Sequence, residues 1–393
     1  MLTRKAIRFA LLPVAAGALL GTSSGALAAG SWDAGSFKLS YGGYIKLDVL
    51  YSDYSDGNPA SNSIGRDWYV ASTTPVGGDD DDAVLDAHAQ QSRFFFATEA
   101  DVGGKKVTSR FEFDFMVSPG GNERVSNSYN PRMRHAFFTY DKFLFGQTWS
   151  TFQNVSALPD TVDFVGASDS TIFVRQAQVR YTTGNFAIAL ENPETTVSNF
   201  ATSGRIDADD NNVPDLAARY ILKTGFGDFW AAGLVRQLKI QDDAASGIDD
   251  DDVGYGISLS GKIPFGDKGS DFRFMGSFGE GMGRYMGLNL FNGAESDASG
   301  NIDALESYGA FGALRLVWNS SWRSSFVGSI AEADNSGDIG GATKKAWSIS
   351  GNVIYSPVPG IDLGLELRYA EREVENGDDG DLTRVQFGAR YNL

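Results

Sequence analysis

Polar and apolar residues alternate along the last ten residues of the chain, 384–393. Phe387 and Tyr391 fall on one face of this segment, and Arg384 and Arg390 fall on the other. Alternation with a period of two indicates a β-strand. A strand with one apolar face and one arginine-bearing face suits a wall between lipid and water, as in a transmembrane β-barrel. An edge strand of a soluble β-sandwich would show the same pattern, so further observations must decide.

The N-terminal residues have the features of an export signal. Arg4, Lys5 and Arg8 precede an apolar run over residues 9–20, and Ala26-Leu27-Ala28 fits a small-residue cleavage site. The run is shorter than the roughly 20 residues that a membrane-spanning helix needs. We therefore predict a signal peptide over residues 1–28 and a single barrel domain over residues 29–393.

The composition excludes several classes of protein. The chain contains no cysteine, so disulfides cannot stabilise it, and its net charge of −17 argues against nucleic-acid binding, which needs a basic surface. Its mean hydropathy of −0.21 resembles that of a soluble protein. A barrel exposes only every second residue to lipid, so this average is compatible with a membrane protein.

Sixteen segments with strand character follow one another, separated alternately by short turns and long polar loops. They cover residues 37–51, 90–101, 107–117, 132–140, 143–152, 173–182, 186–191, 216–224, 229–240, 253–262, 272–279, 308–318, 322–330, 346–355, 361–370 and 384–393. Most approach the roughly 9 to 11 residues that cross a bilayer when tilted, whereas strands of soluble sheets average nearer 5 or 6. We predict an all-β, 16-stranded antiparallel transmembrane barrel with periplasmic turns and extracellular loops.

The polar register of these strands carries many charges that would face the lumen. The basic residues are Lys38, Lys46, Arg93, Arg110, Arg132, Arg134, Arg175, Arg180, Arg219, Arg273, Arg315, Arg368, Arg384 and Arg390. The acidic residues are Asp48, Glu99, Glu112, Asp114, Asp271 and Glu366. Arginine offers bidentate donors to carboxylates, so this wall predicts a pore that attracts small anions. Mutual pairing that only holds the barrel in shape is the alternative. The facing of Arg132, Arg134 and Arg175 stays open, because their strands alternate imperfectly.

Residues 153–171, after the fifth strand, are less hydrophilic than the other long loops. Such a segment is expected to pack against protein rather than to extend into water. We predict that it folds into the lumen as a constriction loop, with Asp160, Asp163 and Phe164 at the narrowing. An external cap and a clasp between subunits are the alternatives.

The remaining loops are rich in aspartate, which fits a solvated outer surface. Asp207, Asp209 and Asn211 have the spacing that begins a calcium loop, but Asn212 and Ala218 replace the glycine and glutamate expected further along. We therefore expect no cofactor, with calcium at the acidic external loops as a weak candidate. Divalent ions that bridge these loops to lipopolysaccharide are another use for them.

Several blocks resemble the DcaP-like family of outer-membrane porins. They are residues 132–138 (RMRHAFF), 145–152 (FGQTWSTF), 174–176 (VRQ), 179–182 (VRYT) and 191–195 (ENPET). The resemblance implies a homotrimer of sixteen-stranded barrels that passes small, often negatively charged compounds such as dicarboxylic and aromatic acids. Residues 386–393 also resemble the C-terminal signal that outer-membrane barrels present to their assembly machinery, although Leu393 stands where Phe is usual.

Three other functions are alternatives to an anion channel. A hydrolase would need a histidine in a catalytic constellation, and only His88 and His135 are available. A purely structural barrel would usually be small and filled by its own side chains. A general, weakly cation-selective porin is the main rival, because the acidic loops at the mouth oppose the basic wall. We expect a non-enzymatic channel in the outer membrane of a Gram-negative bacterium.

Overall fold

A computed structural model describes residues 30–33, 35–117, 126–243, 246–337 and 339–393. Residues 1–28 lie outside these ranges, so the cleaved signal peptide stays a prediction. None of the helices in the described ranges is long and apolar enough to cross a membrane.

Within those ranges the strands are β1 (Gly30–Asp33), β2 (Lys38–Tyr54), β3 (Val84–His88), β4 (Arg93–Val102), β5 (Lys105–Asp114), β6 (Arg132–Tyr140), β7 (Phe143–Trp149), β8 (Arg175–Thr183), β9 (Phe186–Glu191), β10 (Thr195–Ser198), β11 (Arg205–Ala208), β12 (Asp215–Lys223), β13 (Asp228–Asp243), β14 (Ile248–Phe265), β15 (Ser270–Glu280), β16 (Ala294–Ser296), β17 (Ile302–Ala304), β18 (Glu306–Val317), β19 (Trp322–Ala333), β20 (Thr343–Tyr355), β21 (Ile361–Val374) and β22 (Asp379–Asn392). Single 3-10 turns cover Ile64–Arg66, Ala71–Thr73, Val155–Ala157 and Gly283–Tyr285.

The main sheet closes on itself as an antiparallel barrel. Successive wall strands pair in chain order, and β22 returns to β2, with Asn392 opposite Tyr44. The strands β3 and β4 both pair with β2, at successive stretches, so they form one interrupted wall strand. The wall therefore has sixteen strands, and the predicted fold class is confirmed.

The outer surface of the wall is apolar and its inner surface is polar. Leu365 and Leu367 on β21 are 50% and 57% exposed, whereas Glu366 and Arg368, which alternate with them, are each 2% exposed. This arrangement is the reverse of a soluble protein, in which large apolar side chains are buried and charges are exposed. It fits a wall that faces lipid on the outside.

Aromatic pairs bound the apolar band of the outer wall. Trp322 stacks on Tyr355 with ring centroids 4.6 Å apart, near the short turns. Towards the long loops, Trp347 and Tyr369 lie 5.4 Å apart. Aromatic girdles at both membrane interfaces are typical of outer-membrane barrels.

A β-bulge explains why the alternation of β6 is imperfect. Glu112 on β5 pairs with His135, and the next residue, Phe113, pairs with Met133. Arg134 is the extra residue, so Arg134 and His135 both lie on the inner side, while Met133 stays exposed on the outside. A bulge places two residues opposite one and re-aims a side chain in this way.

A second, four-stranded sheet lies among the long loops. Its order is β11, β10, β16 and β17, and β10 pairs in parallel with β16 through Val197 and Ala294. Both residues are fully buried, together with Leu238 of the barrel wall. The sequence predicts loops for these segments, and that prediction is wrong, because the structure pairs them in a sheet.

Replacing Leu367 with arginine tests the facing of the wall. Leu367 lies between the two aromatic levels, and a charge facing lipid at midplane costs roughly 2 to 4 kcal/mol. We expect Leu367→Arg to lower the free energy of unfolding from lipid vesicles by that amount in a denaturant titration. The matched control is Val213→Arg, in a long loop and similarly exposed at 49%. Equal effects of the two substitutions would contradict a lipid-facing Leu367.

Candidate functional site

The segment 153–171 crosses the inside of the barrel. Lys46 Nζ donates to the carbonyl oxygen of Val162 at 2.6 Å, and the Val162 amide donates to Glu366 at 2.8 Å. Further along the wall, Arg273 Nη1 donates to the carbonyl oxygen of Leu158 at 2.6 Å. Because these partners belong to β2, β21 and β15, the segment spans the lumen. The predicted in-folded constriction loop is confirmed.

The constriction loop packs apolar side chains against another segment that folds into the barrel. Phe164 packs edge-on against Trp68, with ring centroids 5.4 Å apart. Asp163 accepts hydrogen bonds from the amides of Tyr69 (2.9 Å), Val165 (3.1 Å) and Gly166 (3.0 Å). The loop between β2 and β3 therefore folds inward as well and supports the constriction loop from its side.

A cavity of about 460 Å³ lies along the constriction loop. Its basic lining residues are Lys46, Arg93, Arg110, Arg134, Arg180, Arg219, Lys223, Arg273, Arg323 and Arg390, and its acidic ones are Glu112, Asp160, Asp163 and Asp228. Cations thus outnumber carboxylates in the cavity, although the whole chain carries a net charge of −17.

One group of arginines is held by two carboxylates on β5. Glu112 accepts from Arg110 at 2.5 Å and from Arg134 at 2.9 Å. Asp114 accepts from Arg134 at 2.8 Å and from Arg132 at 3.0 Å. Arg134 is only 1% exposed and is bound by both acids. Charges buried to this degree require such pairing, because unpaired ions are costly away from bulk water.

Aromatic rings flank the same arginines. The guanidinium of Arg134 lies 5.6 Å from the ring of Phe164 and 5.7 Å from that of Trp149. Arg93 lies 5.9 Å from Phe164 on the constriction loop. These distances fit cation–π contacts, which fix the guanidinium planes without neutralising them.

Arg180 and Arg219 form a second group, which the charge of Glu191 influences without contacting either arginine directly. Arg180 Nε donates to Gln178 at 3.0 Å, and Arg219 lies 4.5 Å from the ring of Trp230. Neither arginine forms a salt bridge with any part of the chain that the structure describes, and the buried Nε of Arg219 has no hydrogen-bond partner there. Arg180 Nη2 also donates to the carbonyl oxygen of Trp149, so the donor of this pair that is unused within the described ranges is the Nε of Arg219, a residue that lines the cavity.

Asp160 of the constriction loop contacts a third group. Its Oδ2 accepts from Arg315 Nε and from Arg323 Nε, each at 2.9 Å. Burial alone would raise the pKa of Asp160, but Arg323 and Arg315 outweigh burial and hold the pKa below its ordinary value. Further along the same loop, burial raises the pKa of Asp169, although Ser329 and Arg368 oppose the shift.

Some predicted lumen residues lie elsewhere. Arg368 lies 4.7 Å from the ring of Tyr69, and Arg384 donates to the carbonyl oxygen of Gly65 at 2.6 Å, so both are buried beneath the loop between β2 and β3. Arg175 belongs to the register opposite to its buried neighbours on β8, and its guanidinium lies 4.3 Å from the ring of Trp149. None of these three arginines lines the cavity.

At the short-turn end, Lys38 and Glu99 border a separate groove, and Glu99 pairs with Lys106 at 2.9 Å. Asp48 is buried against Lys46 at 2.8 Å. Only Glu112 among the predicted lumen acids lines the cavity. The predicted acids of the polar register therefore lie at different positions along the wall, and most of them lie outside the cavity.

Arg323 and Lys223 line the cavity but are not among the predicted lumen residues. Arg323 alternates with Trp322 on β19, whose exposed neighbours Trp322 and Phe326 mark the outer face. The period-two pattern of that strand was therefore a usable signal for Arg323. Lys223 lies at the end of β12, where alternation alone could not place it.

The calcium candidate is not assembled in the structure. Asp207 pairs with Arg205 at 2.9 Å, and Asn211 Oδ1 accepts from Thr195 at 3.0 Å. Across the described ranges, no three or more His, Cys, Asp or Glu side chains are grouped so as to hold a metal ion.

This architecture matches a known protein family and several solved structures. The model of the DcaP outer membrane protein family matches residues 33–393. The crystal structure of the outer membrane channel DcaP of Acinetobacter baumannii has a TM-score of 0.76 at 23% identity, covering 93% of this chain and 100% of that one.

Two further porin-like structures share the fold at lower identity. A trimer form of OmpT of Vibrio cholerae has a TM-score of 0.55 at 11% identity and covers 91% of this chain and 100% of that one. OmpF of Salmonella typhi, in complex with daunomycin, has a TM-score of 0.56 at 9% identity and covers 91% and 99%. No curated protein sequence matches the chain.

Neutralising Glu112 tests whether the first arginine group depends on its carboxylates. Removing one partner of a buried ion pair costs roughly 3 to 5 kcal/mol, because the other charge stays buried. We expect Glu112→Gln to lower the free energy of unfolding by about that amount. Glu99→Gln is the control, since the Glu99–Lys106 pair is more than half exposed and contributes little. A stable Glu112→Gln protein would show that the remaining Asp114 is enough to hold Arg134.

Proposed function

Because the chain belongs to the DcaP outer membrane protein family, we propose that this outer-membrane channel passes small anionic solutes by passive diffusion through its arginine-lined cavity. Dicarboxylic and aromatic acids are the solute classes that we expect. The observation that carries the proposal is the pair Arg180 and Arg219, which lines the cavity and forms no direct salt bridge in the described ranges, where the Nε of Arg219 also has no hydrogen-bond partner.

The chemistry of the cavity suits anions in transit. A solute that leaves bulk water loses part of its hydration shell, and guanidinium donors replace those hydrogen bonds. Arg219 and Arg180 supply fixed donors on the wall, while the rings of Trp230 and Phe164 provide apolar contact. Passage also requires that the solute bind weakly enough to leave the cavity again.

We include three partners in the proposal. The chain forms a homotrimer, its outer wall contacts lipid and lipopolysaccharide, and its C-terminal residues 384–393 are recognised by the barrel assembly machinery. The trimer is the state implied by the resemblance to the DcaP-like family, and the trimer form of the structurally similar OmpT of Vibrio cholerae supports it. Lipid contact is supported by the apolar outer band, of which Ile349 and Leu367 are examples.

A general, weakly cation-selective porin is the second candidate. The outer loops are acidic, and Asp79, Asp80, Asp81 and Asp82 are all exposed near the external mouth. These charges raise the local concentration of cations and would favour them if the mouth, rather than the cavity, controlled selectivity. The two candidates predict reversal potentials of opposite sign under a salt gradient.

We expect the purified protein in a planar bilayer to show an anion-selective reversal potential under a KCl gradient. Substituting Arg219→Gln should lower the ratio of anion to cation permeability by about fivefold, because one charge at about 4 Å in water contributes about 1 kcal/mol. Arg180→Gln should act in the same direction.

The control is Arg205→Gln, which removes the same charge from a half-exposed external position. Its reversal potential should equal that of the unmodified protein. Cation selectivity of the unmodified channel would contradict the proposal and favour the general porin. A lack of any conductance would contradict both channel candidates.

A further inference from the structure

We propose that Asp160 is a specificity-determining residue that limits anion binding, because its carboxylate occupies the wall site that a carboxylate solute would otherwise take. The inference rests on the proposed passage of anions and concerns a different part of the cavity from Arg180 and Arg219. In this proposal, a side chain of the constriction loop competes with the solute for the same arginines of the wall.

The contacts of Asp160 are those expected of a bound carboxylate solute. A single oxygen, Oδ2, accepts the Nε donors of both Arg315 and Arg323 at 2.9 Å. The two arginines lie on the neighbouring strands β18 and β19, so the carboxylate bridges two segments of wall. Asp160 itself lies on the lining of the cavity.

The two arginines are held in place without Asp160. Arg315 Nη1 also donates to Asp271 at 3.3 Å, and Arg323 Nη1 donates to Asp362 at 3.1 Å and to Ser356 at 2.9 Å. These contacts use the Nη1 atoms. Loss of the Asp160 charge would therefore free the two Nε donors and leave the guanidiniums oriented.

The constriction loop is also held in place without this carboxylate. The backbone oxygen of Asp160 accepts from Asn352 at 2.9 Å, and the neighbouring Val162 is bound through its amide and carbonyl. Arg273 holds the carbonyl of Leu158. The side-chain contact to Arg315 and Arg323 is therefore separable from the position of the loop.

Asp160 differs in this respect from the other acids of the cavity. Within the described ranges, the Asp163 carboxylate accepts hydrogen bonds from backbone amides of the two inward loops alone, so it is a structural side chain. Glu112 is shared among wall arginines. Among the lining carboxylates, Asp160 joins the constriction loop to wall guanidiniums that have other acidic partners.

The test is Asp160→Asn, measured in planar bilayers with acetate, the simplest free carboxylate, as the probe. We expect the anion-to-cation permeability ratio to rise and the acetate concentration that half-blocks the chloride current to fall, each by about fivefold. Asp160→Glu keeps the charge and should resemble the unmodified protein in both measurements.

Asp209→Asn is the charge-matched control, because Asp209 is exposed in an external loop. An Asp160→Asn channel with unchanged acetate block, or an Asp209→Asn channel with the same rise, would overturn this inference. Either result leaves the proposed function standing if the unmodified channel is anion-selective. A cation-selective unmodified channel overturns the proposed function, whereas the comparison between variants still decides the role of Asp160.

Discussion

Every strand of this wall depends on the pairing of β22 with β2. A membrane interior offers no water to the backbone, so each amide and carbonyl must be satisfied by another strand. An open sheet would leave two rows of such groups unpaired. The register from Tyr44 opposite Asn392 to Tyr54 opposite Leu382 removes both rows, and it allows the outer side chains to be apolar.

The closed wall makes a charged interior tolerable. Its outer residues take up the contact with lipid, which leaves the inner register free for arginines and carboxylates. Most of these charges then bind one another or the inward loops, as Arg134 does with Glu112 and Asp114. Arg180 and Arg219 contrast with this pairing, because within the described ranges neither of these cavity-lining arginines forms a salt bridge.

Strand alternation made the wall predictable, because lipid and water act on opposite faces of every strand. The same rule failed where a partner strand alters the local geometry, as at the bulge that turns Arg134 inward. It also placed Arg384 inside without showing that the loop at Gly65 covers it. The sheet formed by β10 and β16 escaped prediction because its pairing joins loops that are distant in sequence.

Barrel closure also constrains how the chain must be made. The strand β2 is synthesised long before β22, yet the two are neighbours in the wall. Pairing over such a sequence distance is slow, since the loop entropy must be overcome before the contact forms. Until then β2 keeps an unpaired edge, which in water is a template for aggregation. The barrel can therefore close only when the whole polypeptide is present. A chain truncated before β22 would retain two unpaired strand edges that favour aggregation.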